Sequence, residues 1–322
     1  MTASPTGDEV LGYFDQLSNW GRWGEDDELG TLNLITPEMR KAAAALVSEG
    51  ITVSCSWDIE TTPQIDYGTP PQRYMLRTGE GLNDPDRALP PGADSQPRSG
   101  GAMEHLSFTY HGYAITHIDG LSHQFWDGQM YNGVPAARVT ATDGATRHAI
   151  TALRDGVVTR GVLLDIPASQ ERSWLDGGEG VRPEDLERAE ARQNVRVREG
   201  DAVLLRTGYG RKKIEEGREP PASPLPGWHP ASLPWLHERG VAIIGADVPQ
   251  DAHPSGYEEH GMRLPIHSVG MVAMGLWLID NCNLEELTTT CQRLGRYEFQ
   301  FMLSPLRMQG GTGSPANPLA IF

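Results

Sequence analysis

The apolar positions of this chain fall into short runs separated by long polar stretches. Residues 162–166 (VLLDI), 202–206 (AVLLR) and 241–246 (VAIIGA) are continuous and rich in aliphatic residues, the pattern of strands buried on both faces. Residues 51–57 (ITVSCSW) alternate apolar and small polar residues and predict a further strand. Residues 105–119 read as extended, and Tyr297 to Leu303 reads as a late strand. A helix is expected from Pro37 to about Ser48, capped by Thr36, with Pro37 in its first turn and Gly50 beyond its end. Pro183 to Asn194 predicts an exposed helix. Pro230 to Arg239 predicts another, which Pro234 should shorten or bend. Asn283, with Glu286 three residues on, predicts a capped helix start.

The stretches between divide the chain. Residues 1–35 read as an ordered N-terminal loop or arm around Trp20, Trp23 and the acidic run Glu25 to Glu28, and residues 36–322 as one domain. Residues 60–102 form a long excursion rich in Pro, Gly, Asp and Arg; loops of that length are often functional. The Gly- and Pro-rich tail is expected to lie on the surface. Strands and helices mix without a strict βαβ rhythm. The expected fold is therefore α/β (α+β), a single domain with a mixed sheet.

Composition narrows the function classes. A net charge of −16 over 322 residues argues against nucleic-acid binding and against docking on an anionic membrane. No run of 18 apolar residues predicts a membrane span. The three cysteines, Cys55, Cys282 and Cys291, have no metal-type spacing, and their odd number excludes a full disulfide framework. Free thiols and an N-terminus without a signal-peptide pattern make a cytoplasmic location the expectation.

The chemistry gathers on histidine. His105, His111, His117 and His123 fall within 19 residues, where a uniform scatter of the 10 histidines would put fewer than one. Their spacing of six is even, so a strand would project all four to one face, whereas a helix would turn them about 240° apart per step. Asp119 shares the face of His117. Imidazole and carboxylate at neighbouring same-face positions suit Zn, Mn or Fe. Gly120 should break the strand and leave His123 on the turn beyond, near the metal and suited to be a general base. His105 is the weakest member of the set. A second stretch holds His253, His260 and His267 at intervals of seven, with Asp247 and Asp251 just upstream and Asp280 further on. The strand ending at Ala246 should deliver Asp247 to the sheet edge where ligand loops gather. His267 and Asp280 are further candidate ligands; Asp280 has a rival reading as a cap.

The stretch T-H-I-D-G-L-S-H, Thr116 to His123, resembles the signature of the cyclase family of metal-dependent hydrolases, which includes kynurenine formamidases, isatin hydrolases and a trans-dienelactone hydrolase. Trp20 to Thr36, F-W-D-G-Q-M-Y-N-G after the motif, residues 160–167 and the block from Gly245 to Leu287 resemble the longer members. Against the pattern H-x-G-T-H-x-D-x-P-x-H, residues Thr116, His117, Asp119 and His123 match. The first His falls on Tyr113, Gly on Ile115 and Pro on Leu121. His111 lies two residues earlier on the same expected strand face and is the substitute ligand, although such a shift moves a side chain by roughly 7 Å. The missing ligand makes one metal the expectation rather than two. The family's later His and Glu resemble His267 and Asp280.

The resemblance implies a swivelling β/β/α fold, a homodimer or larger homo-oligomer, and bound Zn or Mn. The expected activity is hydrolysis of an amide, formamide or lactone of a small, cyclic or aromatic substrate, with His123 as base. Tyr113, Trp20, Trp23, Phe125, Trp126 and Tyr131 are candidates to line an aromatic pocket. Two rivals stand beside this reading: a metal-dependent cyclase or lyase on a polyketide-like substrate, and a non-catalytic metal- or ligand-binding protein. The chain has no G-x-S-x-G, no P-loop and no H-E-x-x-H motif.

Overall fold

The aliphatic runs become the centre of a nine-stranded sheet in the computed structural model, which describes residues 4–80, 82, 86, 88–89, 92–95, 99–221 and 223–322. The strands of three or more residues are β1 (Thr52–Ser54), β2 (Gln72–Arg77), β3 (Met103–Ser107), β4 (His117–Asp119), β5 (Val157–Asp165), β6 (Ala202–Arg206), β7 (Ile243–Ala246), β8 (Trp277–Asp280), β9 (Glu298–Leu303), β10 (Gly313–Pro315) and β11 (Leu319–Ile321). In the sheet the order is β1-β11-β9-β5-β6-β7-β8-β4-β10. Strands β5, β6, β7 and β8 run parallel, and the strands on either side of them are antiparallel. The mixed α/β domain expected from the sequence is what forms.

The parallel strands are buried on both sides because each side has its own core. Val162, Leu164, Val203, Leu205, Ile244 and Leu278 face one cluster; Leu163, Leu204, Ile243, Trp277 and Ile279 face the other. Burying an aliphatic side chain contributes roughly 1.5–3 kcal/mol, so these strands anchor the fold.

The expected helices form with shifted ends. They are α2 (Pro37–Ala44), α3 (Pro183–Gln193), α4 (Leu233–Glu238) and α5 (Glu285–Leu294), and they follow an N-terminal helix, α1 (Gly7–Gln16), that the sequence did not predict. Thr36 caps α2 by accepting from Met39 N at 3.2 Å. Pro234 sits in the first turn of α4, so the expected helix from Pro230 splits into a 3-10 turn and a short α-helix. The Asn283–Glu286 capping box does not form: α5 begins at Glu285, and Asn283 Oδ1 accepts from Glu285 N at 3.3 Å.

Three other expectations are corrected. Part of the N-terminal stretch read as loop is α1, closed by a capping box in which Thr6 Oγ1 accepts from Glu9 N (3.2 Å) and Glu9 Oε2 accepts from Thr6 N (2.6 Å). Val10 of α1 is fully buried against Tyr257 and Met262. The excursion at 60–102 is not all irregular, since β2 pairs with β3 as a hairpin exposed along both strands; its residues 81, 83–85, 87, 90–91 and 96–98 lie outside the described residues. The tail lies on the surface only in part, at residues 306–309. Its Gly and Pro precede an apolar end that enters the sheet as β11, and Phe322 is fully buried against Phe299.

Glycine is required where the N-terminal segment crosses the body. Gly30 has φ 54°, and a Cβ there would meet the Gly275 carbonyl oxygen at 2.2 Å. No helix among the described residues is long and apolar enough to cross a membrane.

Candidate metal centre

The site grows from the pairing of β4 with β8. His117 stands directly opposite Asp280, and side chains opposite one another share a face. Asp119 is two residues on and shares it too. Ile118, between them, points to the other face and into the core of that side. Over the polar face lies a π-helix, Ile266–Met274, which presents His267 from its first turn. Such helices are rare and frequent at functional sites.

His111 and His123 arrive differently from the expectation. Residues 105–119 are not one strand: β3 ends at Ser107, β4 starts at His117, and the segment between bends, with Gly112 at φ 144°. The four histidines therefore do not share a strand face. His105 lies on the exposed hairpin, away from the others. The bend folds His111 back so that its Nδ1 reaches Asp119 Oδ1 at 2.9 Å, absorbing the two-residue offset that a straight strand would impose. His123 follows the turn after Gly120, and its ring stacks on that of His111 at 4.0 Å and 7°. Gly313 of β10 leaves the room for this, since a Cβ there would lie 2.8 Å from the His111 ring.

The donor atoms converge. His117 Nε2 lies 3.5 Å from Asp119 Oδ1 and 3.9 Å from Asp280 Oδ2. His267 Nε2 lies 3.5 Å from Asp119 Oδ2 and 3.6 Å from Asp280 Oδ2. Ligands of a tetrahedral Zn at about 2.0–2.1 Å stand roughly 3.3–3.4 Å apart, so these separations suit a shared cation. His111, His117 and Asp119 form one possible ligand group, and Asp119, His267 and Asp280 a second. Asp119 belongs to both.

Asp119 tests the fit. Its side chain is fully buried, yet neither oxygen has a hydrogen bond of normal geometry among the described residues; His111 Nδ1 is in the same condition despite its proximity. An isolated buried carboxylate costs several kcal/mol or more, and four imidazoles around it supply nitrogens rather than backbone donors. A divalent cation among these lone pairs removes the deficit. The set is all N and O, which suits Zn or Mn.

The ring orientations agree. His117 Nδ1 is 2.8 Å from the Ile115 carbonyl oxygen, which can only accept, so Nδ1 carries the proton and Nε2 turns a lone pair to the site. Burial alone would push the Asp119 carboxyl up; His123, His117, His111 and His267 outweigh it and hold it well below the usual range. Burial pushes the His123 imidazole down to about 4, against the pull of Asp119, so it is neutral at pH 7.

A cavity of about 120 Å³ opens onto these groups, lined by His111, Gly112, Tyr113, His117, His123, Leu225, Pro249, Asp251, His253, Leu264, His267 and Asp280. Of the aromatic residues expected there, only Tyr113 lines it. Trp20 Nε1 donates to the Val272 carbonyl, Trp126 stacks on Phe14 at 4.7 Å, and Arg22 covers Trp23 at 4.7 Å. The Tyr131 ring is buried in the core with its hydroxyl toward Asp27, and Phe125 faces solvent. Trp126 and Tyr131 stay outside because α1 and the N-terminal segment pack on them. Asp247 does not reach the cavity either; it accepts from Thr207 N, Thr207 Oγ1 and Gly208 N at 2.8, 2.8 and 2.9 Å.

Three residues with no role expected from the sequence are at the site. Asp251 accepts from His267 Nδ1 at 2.6 Å, Gln250 donates to Asp280 Oδ1 at 3.0 Å, and His253 lines the cavity. The adjacency of Asp251 to the strand ending at Ala246 was a weak signal; Gln250 had none.

The mixed α/β sheet thus carries a buried cluster of His and Asp side chains able to hold a metal ion. The chain belongs to the cyclase family: the family model described as "Putative cyclase" matches residues 50–251. A solved structure described as a novel cyclase is 31% identical, with 96% of this chain and 99% of that chain covered and a TM-score of 0.84. Isatin hydrolase A from Ralstonia solanacearum is 19% identical over 88% of this chain and 97% of its own, with a TM-score of 0.56. Isatin hydrolase A from Labrenzia aggregata, bound to benzyl benzoate, is 18% identical over 86% and 94%, with a TM-score of 0.54. At those identities the two hydrolases share the fold. A comparison with curated proteins returns no match.

Proposed function

We propose that this chain is a metal-dependent hydrolase that cleaves the C–N or C–O bond of a small amide, formamide or lactone. The observation that carries the reading is the convergence of His117 Nε2, Asp119, His267 Nε2 and Asp280 Oδ2 on one buried point, with no hydrogen bond of normal geometry to Asp119 among the described residues. His111 is the remaining ligand, in place of the one lost at Tyr113. A cation held here supplies Lewis acidity, polarising a carbonyl oxygen and making a nearby water a stronger acid. The residues do the rest. His123 Nε2 stands 3.9 Å from Asp119 Oδ2 with its side chain 28% exposed, so it reaches both the ligand cluster and the cavity. As a neutral imidazole it accepts a proton from the attacking water and returns it to the leaving group. The Tyr113 ring, Leu225, Pro249 and Leu264 make the apolar part of the wall, which favours a compact cyclic or aromatic substrate.

Metal content of protein purified without added metal, followed by a screen against aryl formamides, isatin-like lactams and lactones, tests this. Stoichiometric Zn or Mn with turnover supports it. Stoichiometric metal without turnover on any of them overturns the hydrolase in favour of a metal-binding protein. Product analysis in oxygen-labelled water separates hydrolysis from a ring-closing or lyase reaction, since only hydrolysis takes oxygen from solvent. The same reading includes a homo-oligomer. The β2–β3 hairpin, exposed on both faces with Tyr74, Leu76 and Leu106 bare, supports it, because an isolated two-stranded hairpin is marginal in water. Light scattering on the purified protein decides.

A further inference from the structure

We infer that Gln250 and Asp251 are a pair of positioning residues that aim the two distant ligands, Asp280 and His267, into the cavity. The inference rests on the metal site proposed above and concerns groups that do not themselves hold the cation. Both side chains are buried, at 0% and 2% exposure. In an extended chain two adjacent side chains diverge to opposite faces. Gln250 has φ 49°, the left-handed region that a non-glycine residue rarely adopts, and this inverts the backbone so that both neighbours point inward. Strain of that kind persists where surrounding bonds over-determine it. Here they do: the Gln250 carbonyl accepts from Trp228 N at 2.7 Å and its amide nitrogen donates to the Ile279 carbonyl at 2.7 Å.

Each residue leaves its ligand one free atom. The Gln250 amide also donates to Asp280 Oδ1, so Oδ2 is the oxygen turned to His117 and His267. Asp251 Oδ2 takes the His267 Nδ1 proton, so Nε2 is left with its lone pair toward Asp119 and Asp280. Asp251 cannot rotate away from this task. Its Oδ1 accepts from Ile266 N at 2.7 Å and its Oδ2 from His267 N at 3.3 Å, so the same carboxylate caps the helix that delivers His267. An asparagine there keeps one acceptor and turns a donor toward either the helix N–H groups or the ring.

The test is metal affinity of apo-protein, read by competition of Zn with a chromophoric chelator, together with the visible spectrum of the Co-loaded protein. Asp251→Asn is expected to weaken Zn binding about 10–100-fold and to alter the Co spectrum, with stoichiometry unchanged at saturating metal. Gln250→Ala leaves the helix cap intact and is expected to weaken binding by about 10-fold; it decides the matter if Asp251→Asn fails to fold. Asp247→Asn is the control, a buried aspartate of the same loop bonded away from the cavity. It should lower stability and leave affinity and spectrum as in wild type. Folded Gln250→Ala and Asp251→Asn proteins that bind Zn like wild type would overturn the inference while leaving the metal site standing. A wild-type protein that binds no Zn, Mn or Co would remove the metal site and the inference with it.

Discussion

Two buried aspartates, each near the end of a strand, divide the labour of this molecule. Asp247 follows β7 and is surrounded by donors: two backbone N–H groups and a hydroxyl, all within 2.9 Å. Asp119 ends β4 and is surrounded by imidazole nitrogens, with no hydrogen bond of normal geometry among the described residues. Both are almost completely shielded from water. Burial raises the Asp247 carboxyl above its ordinary value, whereas the histidines hold that of Asp119 well below. The difference teaches that burial alone does not single out a carboxylate able to hold a metal. What marks it is a neighbourhood that supplies lone pairs where a structural carboxylate finds N–H groups.

The contrast breaks most sharply under removal of each carboxylate. Asp119→Ala is expected to abolish stoichiometric metal binding and turnover, yet to leave the metal-free protein no less stable than wild type, because the buried carboxylate takes its desolvation cost with it and no hydrogen bond of normal geometry among the described residues is lost. Metal analysis and urea unfolding of the chelator-treated proteins check both halves; a large stability loss would mean that Asp119 is structural. His123→Ala should keep the metal and cut turnover about 10²–10⁴-fold, as expected for a lost general base. Full activity in that variant would remove His123 from the mechanism. Asp247→Ala is expected to cost about 3 kcal/mol, by orphaning buried N–H groups of the Thr207–Gly208 turn, with metal affinity unchanged in the folded fraction. Chelation should lower the melting temperature of wild type by several degrees, as loss of a tightly bound ligand does, and leave that of Asp119→Ala unmoved. The smallest effect is expected of Gly313→Ala. Its Cβ would meet the Ile118 carbonyl oxygen at 2.7 Å as well as the His111 ring at 2.8 Å, so Zn affinity should fall several-fold while His117 and His267 keep the ion in place. Unchanged affinity there would show that His111 is not a ligand.

The sequence anticipated part of the geometry of this cluster and missed the rest, for identifiable reasons. His117 and Asp119 were legible because a period of two on a strand is a local rule, and β4 obeys it. The same rule was extended too far along the chain. His111, His117 and His123 do meet, but through a bend and a turn; His105 ended on an exposed hairpin where even spacing brought it nowhere near them. The aromatic residues failed as pocket candidates because packing and lining demand the same residue types. Trp126 and Tyr131 are used by the packing of the N-terminal segment. The tail failed because its Gly and Pro content outweighed four apolar residues at its end, which pair into the sheet.

By itself the sequence determined the central sheet, since aliphatic runs of five or six residues have few places to go but a doubly covered strand. It determined the core of the site as well, because His117 and Asp119 need only their own strand to share a face. The tertiary structure decided everything that depends on contact between distant segments. It set β8 opposite β4, which places Asp280 beside His117. It laid the π-helix across them, and so brought in His267. It also turned Gln250 and Asp251 inward through a backbone conformation that no local pattern announces. The candidate ligands come from two segments more than a hundred residues apart, 111–119 and 267–280, and only the folded sheet measures the distance between them.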